Sequence, residues 1–363
     1  MPRYERKHVQ DLDILAREIG NPMSINEIKN KTNHFYGSAD YKNIHTSIHE
    51  MAESELIRIE KIGKSSIAVL NFDNSLLIDS LAQVELIKKV RFLEGRKDWQ
   101  ILVLQIIGYL KDMPAISSII TVRPEKHAKL NRLELFILLR DTQSSPSKDI
   151  EKTMYLLQRV HNIHIDYLLI SEESFENFIR YDDANPIKEI MYDKIVLFSP
   201  QAFWLMIKNI LDKGMKIQVD EKPISLTKIS DQDIVFNLAR FGYKEMGTKV
   251  IQSRAIGIEY VVTAILVKKD NIRRLEAIPI ILAKNNEKVN YSLLVFLASK
   301  FKVIQQLYNI LKVLNELKPT KEVQQIMKEI SNAMVQKVKT DQNAIELSLK
   351  DMEKKMRLYN VIE

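Results

Sequence analysis

Two acidic residues near the middle of the chain have the type and the setting to bind a metal ion. Glu134 lies in the apolar run Leu133–Leu139 and Asp166 in the apolar run Ile163–Ile170, and both runs predict buried β-strands. Carboxylates on strands of one sheet can hold magnesium between them. Arg132 stands two residues before Glu134 and would share its face of the strand, where a positive charge repels a cation. The alternative is that Glu134 and Asp166 are polar residues at the ends of core strands.

Few other residues have the type and spacing to bind a metal or catalyse a reaction. His45 and His49 lie one helical turn apart, a spacing that can bind a metal, but no third ligand is evident nearby and they are interpreted as ordinary histidines. The chain has no cysteine, which excludes disulfides, thiolate zinc sites and cysteine nucleophiles. It also lacks a phosphate-binding glycine loop, a nucleophile elbow, a zinc-protease motif and a dinucleotide glycine fingerprint. The sequence therefore predicts no resident cofactor.

The composition is that of a soluble globular protein. Its 363 residues are enough for two or three domains, and 45% of them are hydrophobic while 28% are charged. No apolar run approaches the roughly 18–20 residues that cross a bilayer, and no apolar core follows the first six residues as it would in a secretory signal. We therefore expect a cytoplasmic protein without a membrane partner.

The net charge of +7 is concentrated at one end of the chain. Residues 1–92 are balanced, residues 93–205 are slightly acidic, and residues 206–363 carry 27 Lys and Arg against 18 Asp and Glu. A basic region of this kind suits a polyanion such as nucleic acid, although a lysine-rich solvated helix surface gives the same balance.

Residues 1–78 have the signals of a small helical domain with a hairpin. A helix over residues 7–19 is predicted to end at Gly20, and Ser24 with Glu27 forms a capping box that begins the next helix. Asp40 is placed to cap a third helix that runs to about Ser54. Two strand-like runs, Ile57–Ile62 and Ile67–Phe72, then flank Gly63-Lys64-Ser65.

This order resembles a winged-helix domain. The resemblance implies that the third helix reads duplex DNA and that the hairpin lies near the phosphates. The outward residues of the third helix are expected to be Tyr41, Lys42, Asn43, Thr46 and Ser47, and the hairpin contributes Lys61 and Lys64. The alternative is a winged helix that binds protein, which the acidic Glu50, Glu53 and Glu55 favour.

Residues 79–205 alternate between helical and strand-like segments, which predicts an α/β domain. The stretches from His164 to Phe175 and from Ile187 to Phe198 resemble the small nucleotidyltransferases of the polymerase-beta superfamily. The resemblance implies a Gly-Ser turn that holds a triphosphate, followed by two alternating carboxylates on the next strand and a third carboxylate further on. Glu134 matches the second of these carboxylates and Asp166 the third.

Two departures from that pattern predict a catalytically degenerate domain. Arg132 occupies the first carboxylate position, and no glycine lies between Gly108 and Gly214 to allow close approach of a phosphate. If the domain were active, Glu134 and Asp166 would hold magnesium for a nucleoside triphosphate. A pocket that binds phosphate without chemistry is a further possibility, for which the basic residues are Arg123, Lys126, Lys129 and Arg132.

The remainder of the chain is predicted to be helical. Residues 206–318 contain successive apolar stripes at helical spacing, interrupted by Pro279, which is expected to kink or break its helix. Residues 319–363 continue as an amphipathic helix with Leu349, Met352 and Met356 at a 3–4 spacing. This pattern predicts a short coiled coil that joins a homodimer, unless the helix folds back onto its own chain.

Together these features predict a helix-rich α/β multidomain protein. Its parts are a winged helix at 1–78, a nucleotidyltransferase-like α/β domain at 79–205, a helical domain at 206–318 and the terminal helix at 319–363. The leading hypothesis is a dimeric DNA-binding protein that regulates transcription, with a pseudoenzyme domain in its middle. The alternatives are a divergent active nucleotidyltransferase of the toxin–antitoxin type and a protein-interaction scaffold.

Overall fold

The computed structural model of the chain is helix-rich, with two small sheets among the residues it describes, and divides into two compact units. The first unit comprises residues 1–181 and 187–222, and the second comprises residues 182–186 and 223–363. The structure describes residues 6–37, 39–63, 65–122, 132–140, 147–217, 219, 224–245, 247–337 and 345–363. The four predicted domains stay a prediction; the first two of them lie in the first unit except for residues 182–186.

The first unit begins with three helices and a small antiparallel sheet. The elements are α1 (Arg6–Glu18), β1 (Met23–Ser24), α2 (Ile25–Tyr36), α3 (Tyr41–Glu53), β2 (Ile57–Ile62) and β3 (Ser65–Leu70), with sheet order β1-β3-β2.

The ends of α2 and α3 follow the predicted capping chemistry. Ser24 and Glu27 form both hydrogen bonds of a capping box, which confirms the predicted start of α2. Gly37 ends that helix with φ of 90°, a backbone conformation that disfavours side chains. The Asp40 carboxylate then accepts a hydrogen bond from the backbone N–H of Lys42, at 2.7 Å, and starts α3.

The same unit continues as an α/β arrangement around a four-stranded sheet of order β6-β5-β4-β7. Its elements are α4 (Leu76–Leu93), α5 (Lys97–Leu110), β4 (Ile116–Val122), β5 (Arg132–Leu139), α6 (Ser147–His161), β6 (His164–Ser171), α7 (Glu172–Arg180), α8 (Pro186–Asp193), β7 (Lys194–Phe198) and α9 (Pro200–Asp212). The β5–β6 pair is parallel, whereas β4 pairs antiparallel with both β5 and β7. The predicted alternation of helices and strands is confirmed, and the strands predicted from the runs Leu133–Leu139 and Ile163–Ile170 are β5 and β6, with ends that move by one residue.

A buried ionic network joins α1 to the α/β part of the first unit. Asp13 and Arg17 on α1 are 3.3 Å apart, Lys88 on α4 lies 3.1 Å from Asp13, and Arg17 lies 2.5 Å from Asp193. The Tyr36 hydroxyl donates a further hydrogen bond to Asp13, at 2.6 Å. Burial opposes ionisation, but Lys88 and Arg17 together hold the pKa of Asp13 far below its usual range. The network fixes α1 against α4 and the end of α8.

The second unit is built from helices. They are α10 (Asp231–Arg240), α11 (Ile258–Lys268), α12 (Ile272–Lys284), α13 (Tyr291–Lys300), α14 (Ile304–Leu317), α15 (Lys321–Lys337) and α16 (Leu349–Leu358), preceded by a single 3₁₀ turn at Leu226–Lys228. Residues 182–186 join this unit through Ala184, which forms a parallel bridge with Ile256. Of the kink or break predicted at Pro279, the break is wrong, because α12 continues through that residue, and the kink stays a prediction.

The terminal segment differs from the single amphipathic helix predicted for it. The helix α15 ends at Lys337, and α16 begins only at Leu349. Met352 and Met356 are fully buried, and the Tyr359 ring stacks on Tyr243 with centroids 4.7 Å apart. Met352 and Met356 of α16 are thus covered by their own chain, whereas Leu349 of the same stripe is exposed, and the coiled coil that joins a homodimer stays a prediction. No helix in the described residues is long and apolar enough to cross a membrane.

Candidate functional site

The first two turns of α3 present a polar face to solvent. Tyr41, Lys42, Asn43 and Thr46 are all exposed, which agrees with the predicted outward positions. Thr46 donates its hydroxyl to the carbonyl of Lys42, at 2.9 Å. This face therefore combines one cation, one amide and two hydroxyl groups that can donate or accept hydrogen bonds.

Two histidines extend the same exposed face. The His45 and His49 rings have centroids 4.3 Å apart, and the Tyr41 ring lies 6.0 Å from His45. The described residues contain no cluster of three or more histidines and carboxylates that could hold a metal. The exposed face of α3 thus carries a row of aromatic rings as well as its hydrogen-bonding groups, a feature that the spacing of residues 41, 45 and 49 could have indicated.

Ser47 does not belong to this face, so its predicted outward position is wrong. It is fully buried, because the inward positions of α3 are Ile44, Ser47, Ile48 and Met51, at helical spacing. Its hydroxyl lies beneath the helix near Asp11 of α1. Burial raises the pKa of Asp11 to about 7, against the opposing effect of the Ser47 and Thr32 hydroxyls.

The acidic residues of α3 lie toward its C-terminal end. Glu50 accepts from His8 at 2.6 Å and lies 3.1 Å from Lys7, and these partners lower its pKa. Glu53 and Glu55 are exposed beyond it. At the N-terminal end the Asp40 carboxylate is engaged in capping. The part of α3 from Tyr41 to His49 therefore carries no carboxylate.

The β2–β3 hairpin is the second predicted contact region. Lys61 is exposed near its tip, and Gly63 turns the chain with φ of 62°. Lys64, also predicted to bind DNA, lies outside the described residues. Further along β2 the exposed Arg58 is paired with Asp73.

The predicted carboxylate site lies where β5 and β6 run side by side. The register places Glu134 beside Asp166 and Arg132 beside His164. Asp166 is buried, and its two carboxylate oxygens contact different partners: Arg132 donates from Nε to Oδ2, and His164 Nε2 lies 3.1 Å from Oδ1. Burial works against ionisation here, but His164 and Arg132 hold the pKa of Asp166 below its usual range.

These contacts do not fit a magnesium site. An ion bound by Asp166 would have to displace Arg132, whose guanidinium already occupies one oxygen. Glu134 is half-buried, and its backbone carbonyl accepts from the Thr121 hydroxyl at 2.8 Å. The other predicted phosphate-binding residues, Arg123, Lys126 and Lys129, lie outside the described residues.

Three comparisons, with protein-family models, with curated proteins and with solved structures, each find no match to this chain. Its function is therefore inferred from the arrangement of its own residues.

Proposed function

We propose that the chain binds duplex DNA through α3 and acts as a regulator of transcription. In this proposal residues 6–70 form a winged helix, with α3 in the major groove and the β2–β3 hairpin near the phosphates. The observation that carries it is the exposed face of α3 from Tyr41 to His49, which has hydrogen-bonding groups and one cation but no carboxylate.

Each side chain of this face has a chemically suitable partner on DNA. Asn43 can pair with adenine through its amide, and Lys42 can reach guanine acceptors or a phosphate. The hydroxyls of Tyr41 and Thr46 suit phosphate oxygens, which position a protein on the duplex. Lys61, on the hairpin, adds a charge that would release counterions from the backbone.

The central domain is proposed to be degenerate rather than catalytic. The ion pair between Arg132 and Asp166 supports this, because it engages a carboxylate that nucleotidyl transfer would require for magnesium. Transfer of a labelled nucleotide to protein or RNA that is lost in Glu134→Ala would contradict this part of the proposal.

The test is selection of bound sequences from a pool of genomic DNA fragments by the full chain, followed by affinity measurements across a range of salt concentrations. We expect log Kd to depend linearly on log salt. Absence of salt-sensitive binding to any fragment would overturn the proposal.

Two variants and one matched control locate the contact. Lys42→Ala is expected to weaken binding to all sequences and to reduce the salt slope by about 1. Asn43→Ala is expected to lose about 1–3 kcal/mol of discrimination at one base pair. Lys350→Ala removes another exposed lysine, on α16, and should leave both quantities unchanged.

A further inference from the structure

Helices α5 and α6 cover one face of the four-stranded sheet and leave an apolar surface on their other side. Their inward residues, including Leu102, Ile106 and Met154, belong to the core that contains the sheet residues Leu135 and Ile165. Their outward residues Ile101, Leu104, Tyr109, Leu156 and Val160 are exposed by 50%, 64%, 61%, 52% and 73%. We call these five residues the outer face.

The two helices of the outer face are neighbours. His161 at the end of α6 lies 2.7 Å from the Gln105 side chain of α5. Together the five side chains expose on the order of 500 Å² of apolar surface, near the upper end for the largest patch of a monomer. With a polar rim, a surface of this size supplies the apolar centre of a standard protein interface, which covers about 800 Å² on each partner.

The charge of α5 indicates what covers this surface. From Trp99 to Leu110 the helix contains no charged residue. In a dimer with a two-fold axis, the same patch of each copy faces the other. If that patch carried a net charge, the two copies would repel each other there. A different protein could carry the opposite charge on its surface, so binding to it would not require an uncharged patch. Residues 99–110 of α5 carry no charge in a chain of which 28% is charged, whereas α6 exposes charges of both signs, so it is the α5 part of the outer face that suits a second copy.

Gly108 lies on the exposed side of α5 and gives separate support for contact with a second helix. A Cβ added there would meet no atom within 4 Å, and its φ is not in the left-handed region. Neither packing nor backbone conformation within the chain requires glycine at this position, although glycine disfavours a helix interior. Its absent side chain would allow a second helix to approach closely.

From these observations we infer that the outer face is the interface of a homodimer in which α5 packs against α5 of a second copy. The inference stands independently of DNA binding, because it concerns the free protein. It also assigns self-association to a different place from the terminal helix, whose apolar residues Met352 and Met356 are buried.

Sedimentation of the full chain without DNA, over a micromolar range of concentration, tests the inference. We expect a dimer of the 42.3 kDa chain. Leu104→Glu places like charges in the interface and should raise the dimer dissociation constant on the order of 100-fold. Leu358→Glu changes a leucine of similar exposure, 60%, on α16 and should leave the constant unchanged.

A charge exchange separates loss of the interface from loss of folding. Leu104→Glu and Leu104→Lys are each expected to be monomeric with an unchanged circular dichroism spectrum, and to form a mixed dimer when combined. Gly108→Leu should also weaken association. A wild-type monomer at every concentration, a Leu104→Glu variant that dimerises as well as the wild type, or a mixture that stays monomeric would overturn the proposed interface.

Discussion

Asp13 lies at the centre of charges and hydrogen bonds that come from three helices. Its carboxylate is fully buried and contacts Arg17 on its own helix, Lys88 on α4 and the hydroxyl of Tyr36 on α2. Asp13→Asn removes the anion and leaves two buried cations with fewer partners. We expect the free energy of unfolding to fall by about 3–5 kcal/mol, measured by urea denaturation.

The control for this prediction is an ion pair at the surface. Arg58 and Asp73 are exposed by 56% and 74%, and water screens such pairs. Asp73→Asn should therefore leave the urea midpoint nearly unchanged. If both variants lost the same free energy of unfolding, burial would not be the reason that the Asp13 network stabilises the fold.

Asp11 predicts a dependence of stability on pH. Burial raises its pKa from the ordinary 3.8 to about 7. The folded state then holds a proton that the unfolded state has already released, so this residue lowers the free energy of unfolding as pH rises from about 4 to about 7. The slope is at most about 1.4 kcal/mol per pH unit for one proton.

Asp11→Asn isolates this contribution from those of other titrating groups. The variant has no proton to lose, so its stability relative to the wild type should increase between pH 4 and pH 7. Urea unfolding at several pH values measures the difference. A constant difference across that range would contradict the burial of a titrating Asp11.

Some residue contacts could not be predicted from the sequence. Ser47 lies at helical spacing from Ile44 and Met51, which marks its inward position, but its contact with Asp11 of another helix is not visible in the sequence. The Arg132–Asp166 pair depends on the parallel register of β5 and β6, which brings together residues 34 positions apart. Local sequence patterns carry no information on such register, and the ion pair is what distinguishes this site from a metal site.

At the scale of elements, the sequence was sufficient to predict the boundary of a helix or strand where a capping residue or a periodic apolar pattern marked it. The Ser24–Glu27 box and Asp40 each start the helix that the sequence predicted. The terminal helix shows the limit of this reasoning. Apolar residues at every third or fourth position indicate that one face of a helix is buried. The same spacing arises whether that face packs against a partner chain or against the chain's own core.

The intrachain packing of α16 has a measurable consequence. Met352 is fully buried, whereas Leu349 on the same helix is exposed by 43%. Met352→Ala should reduce the free energy of unfolding by about 2–5 kcal/mol through the cavity it leaves. Leu349→Ala should cost much less, and neither variant should alter the sedimenting mass. A fall in mass without a fall in stability would instead support a coiled coil.

At the scale of the whole molecule, the chain contributes to its two units out of order. It leaves the first unit after Tyr181, supplies residues 182–186 to the second, and returns at Ile187. The Ala184 N–H donates to the Ala255 carbonyl at 3.1 Å, and the Gly257 N–H donates to the Ala184 carbonyl at 3.0 Å. The second unit is therefore incomplete without a segment that lies far from it in the sequence.

Ala184→Pro tests this dependence because proline has no N–H to donate. We expect faster hydrogen exchange at the Gly257 amide and in the first turn of α11, with a loss of about 1 kcal/mol or more in local stability. The sheet of the first unit should be unaffected. Asp182→Ala, an exposed change two residues away, should not alter exchange at Gly257.

During synthesis, Ala184 is made well before the residues of the second unit that it contacts. Ala184 leaves the ribosome about 70 residues before Ile256, its bridge partner, which corresponds to on the order of 4–14 s at ordinary rates of elongation. During that interval the 182–186 segment has no strand to pair with. Pauses in translation just after residue 184 would lengthen its exposure, and codon choice between residues 185 and 256 would then influence the yield of correctly assembled protein.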